Sequence, residues 1–528
     1  MFDPEERSGG VLLHLTSLPG PHGNGDLGER AHRFAEELAS AGQRLWQMLP
    51  VVPIGEGNSP YSGRSAFAGS PLLIDLLALA REGLLDEPAP PPPFPPERVD
   101  YRAAVAYRDE QLRRAFAAFQ RKRKPHSYRA FRERAGGWLD DFALFSALRA
   151  ASGGQPWSRW EREVRLRRPA ALARARRDLA LEVELHLFQQ WVFDEQWGSF
   201  KRHCNDLGVA LVGDVPFFVA YDSADVWAHR ELFELDGEGQ PTVVAGVPPD
   251  FFSETGQLWG NPQYRWPAIA KRRYRWWVDR FEHALARFDA IRLDHFIGFY
   301  RTWHVPAGAP TAERGTWVAG PSDDLFRAVK RALRRERLPF IAEDLGLVTP
   351  EVRALRDRFE LPGTRLLQFA FGEDLQAHDF RPHNYPRRAA AYTGTHDNDT
   401  IVGWFFDRGG RERTARQTEV ERRNALAYLG LREPDEIHWQ LIRCVHASVA
   451  NLAIIPMQDV LGLGAEARMN RPGTAAGNWE WRMREGAFDE RVRARLQEIS
   501  ALYDRAPLAE AAARTKPLSR LAAKEARR

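Results

Sequence analysis

Eight short apolar runs, each closing on Gly, Pro, Asp or Asn, recur along the 528-residue chain and alternate with amphipathic stretches. They begin at Val11 (VLLHLTSLP), Leu45 (LWQMLPV), Ala210 (ALVGDVPFF), Ala290 (AIRLDHF), Phe340 (FIAEDLG), Thr364 (TRLLQFAF), Ala390 (AAYTGTHDND) and Leu452 (LAIIPMQDV). Runs of this length, rich in β-formers and bounded by turn residues, read as strands, while residues 28–42 and 322–338 carry helical periodicity. Strand–helix alternation produces a parallel sheet, and eight such units close it into a barrel. The sequence therefore predicts an α/β fold, a (β/α)8 TIM barrel, with residues 1–528 forming a single elaborated domain.

Spacing shows where this barrel is decorated, since a plain unit takes about 30 residues. The gap from Val52 to Gly208 is far longer and holds the proline run PAPPPPFPP followed by Arg/Ala-rich helical patterns. A mainly helical insertion over 53–208, after the second strand, is the simple reading. Residues 215–288, after the third strand, show few helix signals and many Gly, Pro and Trp, as in AGVPPDFFSETGQLWGNPQYRWP. That composition predicts an irregular, loop-rich subdomain at the mouth of the site. No internal repeat is visible, and the basic Ala-rich tail after Thr515 reads as a frayed helix.

Charge and cysteine usage narrow the function classes. With 75 Lys+Arg against 71 Asp+Glu the formal net charge is only +4, so no nucleic-acid partner is implied despite the basic stretch REVRLRRPAALARARR. Cys204 and Cys444 fall in helical patterns, outside any CxxC or Cys/His grouping, which suggests neither disulfide nor zinc and fits a reducing cytoplasm. The N-terminal MFDPEERSGG has no apolar signal core, and no run reaches the ~18 apolar residues of a membrane span. The 17 tryptophans cluster near Gly, Pro, Asn and Asp, a distribution that suits sugar-stacking surfaces as well as core.

Three of the runs end in acidic motifs that place Asp294, Glu343 and Asp397 at separate strand ends. In a parallel barrel those ends open onto one face, so the three carboxylates converge. Cleaving a glycosidic bond with retention needs a carboxylate nucleophile and a protonated carboxylic acid ~5–5.5 Å apart. Arg292 lies two residues from Asp294 on the same strand face, and a neighbouring guanidinium favours the charged form that a nucleophile requires. Glu343 has apolar Ile341 as its same-face neighbour, which favours the neutral acid on desolvation. Asp397, between His396 and Asn398, is placed to grip sugar hydroxyls and stabilise an oxocarbenium-like transition state.

Plainer readings stand beside these. An Asp after a strand is most often a turn or helix-cap residue. The 396–399 turn also suits calcium, and His14 and His295 read equally as core histidines bonded to backbone carbonyls. The tryptophans at 259, 266, 276 and 277 read singly as core. Only the set of three carboxylates, in order along an eight-run pattern, distinguishes the catalytic reading.

Taken together, LHLTSLPGPHGNGDLG (13–28), SPYSGRSAFAGSP (59–71), GDVPFFVAYDSADVW (213–227), GQLWGNPQY (256–264), IRLDHF (291–296), AEDLG (342–346), GTHDNDT (394–400) and QDVLGLGAEARMNRPGTAAGNWEWR (458–482) resemble the amylomaltases, or 4-α-glucanotransferases, of the α-amylase clan. The resemblance spans about residues 10–500. It implies a retaining enzyme with Asp294 as nucleophile, Glu343 as acid/base and Asp397 as transition-state stabiliser. Arg292, His295 and His396 are the implied sugar contacts, Asp214 and Tyr61 line the donor side, Gln257 and Trp259 sit on a loop arching over the cleft, and Asn470 lies on a facing loop. It further implies no metal and no cofactor, with α-1,4-glucans and maltooligosaccharides as partners of a monomer or weak homodimer. Two departures touch expected subsites: Ile297 stands where many members carry arginine, and Ser70 where they carry asparagine. The competing functions are a hydrolase of the same clan and a non-catalytic glucan-binding barrel.

Overall fold

The computed structural model describes residues 2–249, 255–410 and 413–507. Its strands are β1 (Ser8–Leu12), β2 (Leu45–Gln47), β3 (Ala210–Val215), β4 (Val243–Val247), β5 (Gln257–Pro262), β6 (Ala290–Leu293), β7 (Arg301–Pro306), β8 (Thr316–Ala319), β9 (Phe340–Ala342), β10 (Gly363–Leu366), β11 (Ala389–Tyr392) and β12 (Leu452–Pro456). Eight close a barrel in the order β1-β12-β11-β10-β9-β6-β3-β2, with parallel pairing throughout. Each of the eight runs in the sequence supplies one of them. Ile291, Leu293, Ile341, Ala390 and Ile454 are all fully buried, because barrel strands bury one side chain inside the barrel and the next under the helices.

The barrel strands are shorter than the apolar runs and differ at their ends. The first begins at Ser8, three residues before the run, while Leu15–Ser17 becomes a 3-10 turn. A Cβ on Gly10 would lie 2.5 Å from the Leu45 Cβ. Glycine is there so that β1 and β2 can approach.

Registers set the site. Val215 pairs with Leu293, and Leu293 with Ala342, so β3, β6 and β9 end level with one another. The next residues of β6 and β9, Asp294 and Glu343, therefore emerge side by side on the C-terminal face.

Between β2 and β3 the chain runs through 3-10 turns and then helices from Leu76–Arg81 to Ala180–Asp206. The last packs on the barrel, where Trp197 Nε1 donates to the Arg287 carbonyl at 2.9 Å. In the basic stretch, Arg162 and Arg165 pair with Glu238 and Arg167 with Asp141, so much of its charge is spent within the protein.

The segment 215–288 differs from the loop-rich expectation. It contains helices Trp266–Lys271 and Arg275–Arg287, and its strands β4 and β5 join β7 and β8 in an antiparallel sheet ordered β5-β4-β7-β8. A register shift between Val244 and Gly246, and positive φ at Gly256 and Gly260, interrupt the strand alternation and hid these strands. Trp266, Trp276 and Trp277 are buried core, whereas Trp259 is 38% exposed.

The tail after Thr515 lies outside the described residues. Among those described, both cysteines are free, no helix is long and apolar enough to cross a membrane, and no group of three or more His, Cys, Asp or Glu could hold a metal ion.

Candidate active site

One guanidinium nitrogen organises the barrel floor of the site. Arg292 Nη1 donates to Asp214 Oδ1 and Oδ2 at 2.9 and 2.7 Å, and to Asp294 Oδ1 at 3.0 Å. Arg292 and Asp214 are register partners on β6 and β3, which brings them together. Burial acts against the Arg292 charge, but Asp214 and Asp294 together hold the guanidinium cationic, above its ordinary value. Burial likewise pushes the Asp214 carboxyl up, opposed by Arg292. Asp214 also accepts from the Tyr61 hydroxyl at 2.8 Å.

The Asp214 side chain is 0% exposed, against 26% for Asp294. Asp214 thus orients both Arg292 and Tyr61.

Glu343 is half-buried beside this cluster. The backbone N–H of His295 donates to its Oε2 at 2.6 Å, and His295 adopts the left-handed conformation (φ 49°, ψ 54°). Burial pushes the Glu343 carboxyl up to about 8; Arg292 opposes the rise, Asp294 adds to it, and the His295 N–H opposes it. A carboxylic acid that is still protonated near neutral pH is the form a proton donor needs.

Asp397 approaches from β11. Asn470 Nδ2 donates to Asp397 Oδ1 at 2.6 Å, the Asn470 N–H donates to the His396 carbonyl at 3.0 Å, and Arg468 Nη2 donates to the Asp397 carbonyl at 2.8 Å. With its side chain 46% exposed, Asp397 is more open than Asp294 at 26%. His396 Nε2 lies 3.4 Å from Asp397 Oδ2. Burial lowers the His396 pKa below its ordinary value, so the ring is a neutral hydrogen-bonding group at pH 7. It stacks on Tyr61 with ring centroids 5.0 Å apart.

The rim is formed by β5. Trp259 stands edge to face with His295 at 5.0 Å, packs near Phe218 at 6.0 Å, and donates from Nε1 to Gln257 Oε1 at 3.2 Å. His295 is thus no core histidine bonded to a carbonyl: its backbone serves Glu343 and its ring underlies Trp259. His14 is buried, and burial lowers its pKa to about 3.

The expected site residues thus gather at the C-terminal end of the barrel strands, with Asp214, Arg292 and His396 buried. Three further residues went unread. Arg468 ties Asp397 to the facing loop through Asn470, to whose carbonyl its Nε donates at 2.8 Å. Trp479, at φ 67°, completes an aromatic group with Tyr61 and His396 at 5.6 and 5.8 Å. Phe218 supports the rim. All three lie inside the motif strings, but nothing in a one-dimensional pattern separates a supporting ring from a contacting one.

Comparison with known proteins bears on this arrangement. The family profile described as 4-alpha-glucanotransferase, glycoside hydrolase family 77, matches residues 13–488. The chain is 48% identical over 511 residues to a 4-alpha-glucanotransferase of Thermus thermophilus, covering 94% of this chain and 99% of that one. It is 41% identical over 516 residues to a chloroplastic/amyloplastic 4-alpha-glucanotransferase of Solanum tuberosum, covering 95% and 87%. The solved amylomaltase from Streptococcus agalactiae in complex with acarbose superposes with a TM-score of 0.90 at 36% identity, covering 95% of this chain and all of that one. A family match across the barrel and a relative of nearly half-identical sequence over its whole length place the chain among the 4-alpha-glucanotransferases of glycoside hydrolase family 77, enzymes of amylomaltase type, and it belongs to that family.

Proposed function

We propose that the chain transfers α-1,4-glucan segments by retaining double displacement, with Asp294 as nucleophile and Glu343 as acid/base. The observation that carries this reading is the Arg292–Asp294–Glu343 cluster, in which one carboxylate shares a buried guanidinium and the other is raised to about 8. Because Arg292 holds Asp294 Oδ1, Oδ2 is the oxygen left to attack the anomeric carbon. Because Glu343 Oε2 accepts from His295, its proton resides on Oε1.

In the first step the C1–O4 bond breaks as the Asp294–C1 bond forms, and the Glu343 proton passes to the departing 4-oxygen. In the second, the 4-hydroxyl of another glucan attacks C1, returns its proton to Glu343 and releases Asp294. Asp397 and the neutral His396 hold hydroxyls of the sugar at the cleavage site, and their grip tightens as the ring flattens toward the oxocarbenium ion. Gln257 and Trp259 on one side and Asn470 on the other narrow the cleft, which favours a sugar acceptor over water. No step calls for a metal or cofactor.

The two free cysteines suit a reducing cytoplasm, and a monomer or weak homodimer suits a site built within one chain. Incubating the pure protein with maltotriose tests the function. A ladder of longer maltooligosaccharides plus glucose is expected; products no longer than the donor, with steadily rising reducing ends, would favour hydrolysis instead.

A further inference from the structure

The antiparallel sheet carries an apolar row on the face turned away from the cleft. Its registers set Leu258 opposite Gly246, Gly246 opposite Trp303 and Trp303 opposite Trp317. Directly opposed residues share a face of the sheet. Leu258 is 42% and Trp317 36% exposed, at the two ends of a row whose middle position, Gly246, is buried beneath Ala312. At the usual strand spacing the two exposed ends lie ~14 Å apart, a separation that a few sugar rings span. The opposite face is different: Ala245, Thr302 and His304 are buried toward the barrel.

The outer end of the row has the make-up of a sugar platform. Trp303 and Trp317 meet edge to face with centroids 5.4 Å apart, and Trp303 is fixed by its Nε1 donating to the Ala312 carbonyl at 2.9 Å. The Arg301 guanidinium lies 4.2 Å from the centre of the Trp317 ring. Its Nε is buried and has no hydrogen-bond partner among the described residues. A buried donor without a partner beside a flat apolar ring matches a pyranose, which offers an apolar face ringed by hydroxyl acceptors.

We propose that Trp317, Trp303, Arg301 and Leu258 form a second α-glucan-binding site, outside the catalytic cleft, for long chains. The proposal rests on the glucan-transfer reading. Continuity with the cleft identifies the occupant: β5 belongs to both, since Leu258 faces the outer row while the next residue, Trp259, faces His295 within the cleft. A chain held on the outer row has its free end near the rim, so binding at the two places reinforces each other only for glucans long enough to span both. Amylose gains by this and maltotriose does not.

Electrophoresis through gels containing amylose tests the site, using the full chain with Asp294→Asn to prevent turnover. Adding Trp317→Ala is expected to weaken amylose retardation by about fivefold or more through loss of the second attachment, and Trp317→Tyr to restore most of it. In the otherwise native chain, Trp317→Ala is expected to disproportionate maltotriose within about twofold of the parent rate. Unchanged amylose retardation would overturn the proposal, as would an equal loss on maltotriose, which would assign Trp317 to the cleft or to the fold. Light scattering that found a dimer dissociated by Trp317→Ala would also overturn it, making the row an interface between copies. Failure of the native chain to extend maltotriose would strike the transfer reading while leaving amylose retardation to be judged separately.

Discussion

The His295 N–H donates to Glu343 Oε2 at 2.6 Å, and it is the residue directly after Asp294. Through this one bond the backbone of the nucleophile's turn orients the acid/base carboxyl. The left-handed conformation at His295 points its N–H toward β9, a geometry that costs a non-glycine residue about 1 kcal/mol or more and persists where packing compels it. An amide oxygen accepts the same bond, so Glu343→Gln keeps the geometry but has no proton to give. Ordinary glucan transfer is expected to stop in that variant, while a donor with an activated leaving group still glycosylates the enzyme. Mass spectrometry should then find the adduct on the peptide containing Asp294; an adduct elsewhere would remove Asp294 from its role.

Turnover should decline as pH rises through about 8, because the first step needs protonated Glu343. Stability follows the same group. Its folded pKa lies above the ordinary value of 4.5, so its favourable contribution is complete below 4.5 and is lost as pH climbs through about 8. Glu343→Gln removes that loss. Relative to the parent, the variant is expected to be more stable by ~1–3 kcal/mol at pH 9, a discounted figure for a half-buried group at ~1.4 kcal/mol per pKa unit, with the difference vanishing at pH 4. Denaturant melts at the two pH values measure it, and an equal difference at both would contradict the assigned shift.

Arg292 and Asp294 should separate stability from chemistry. Arg292→Met leaves the fully buried Asp214 carboxyl without its cation, and a cost of ~3–5 kcal/mol is expected together with loss of turnover. Asp294→Asn leaves the Arg292–Asp214 pair in place. It should abolish turnover with an unfolding midpoint close to that of the parent, and glucan binding should survive. A large drop in its midpoint would show Asp294 to be a structural partner first.

Trp259→Ala bears on water exclusion. The residue is 38% exposed and rests on His295 and Phe218, so its removal should cost little stability, in contrast with the ~3–5 kcal/mol expected for a buried tryptophan. The ratio of hydrolysis to transfer on maltotriose should rise as the acceptor loses its platform. A lowered melting temperature with an unchanged product ratio would mark Trp259 as core instead.

Much of the barrel was legible because its pattern is local. An apolar run of a few residues ending in turn chemistry, repeated with helices between, leaves a parallel barrel as the economical way to bury every run, and all eight runs became barrel strands. The antiparallel sheet was not legible. Its strands come from both sides of β6 in sequence, Val243–Val247 and Gln257–Pro262 before it and Arg301–Pro306 and Thr316–Ala319 after it, with glycines and a bulge blurring the alternation. Pairing between segments so far apart leaves no periodic trace in either one.

The amino-acid order by itself determined which carboxylates stand at strand ends, and hence that Asp294, Glu343 and Asp397 share one face. Only the tertiary structure decided what each of them touches. Arg292 divides one nitrogen between Asp214 and Asp294, the His295 N–H reaches Glu343, and Asn470 crosses from another loop to Asp397. The physical reason is reach. Periodicity assigns a side chain to a face, but burial, partners and therefore protonation depend on atoms brought within 3 Å by strand register and by loops that are distant in sequence. For this reason Asp214 is fully buried against Arg292 and Tyr61, while Glu343 is half-buried, takes the His295 N–H and is raised to about 8.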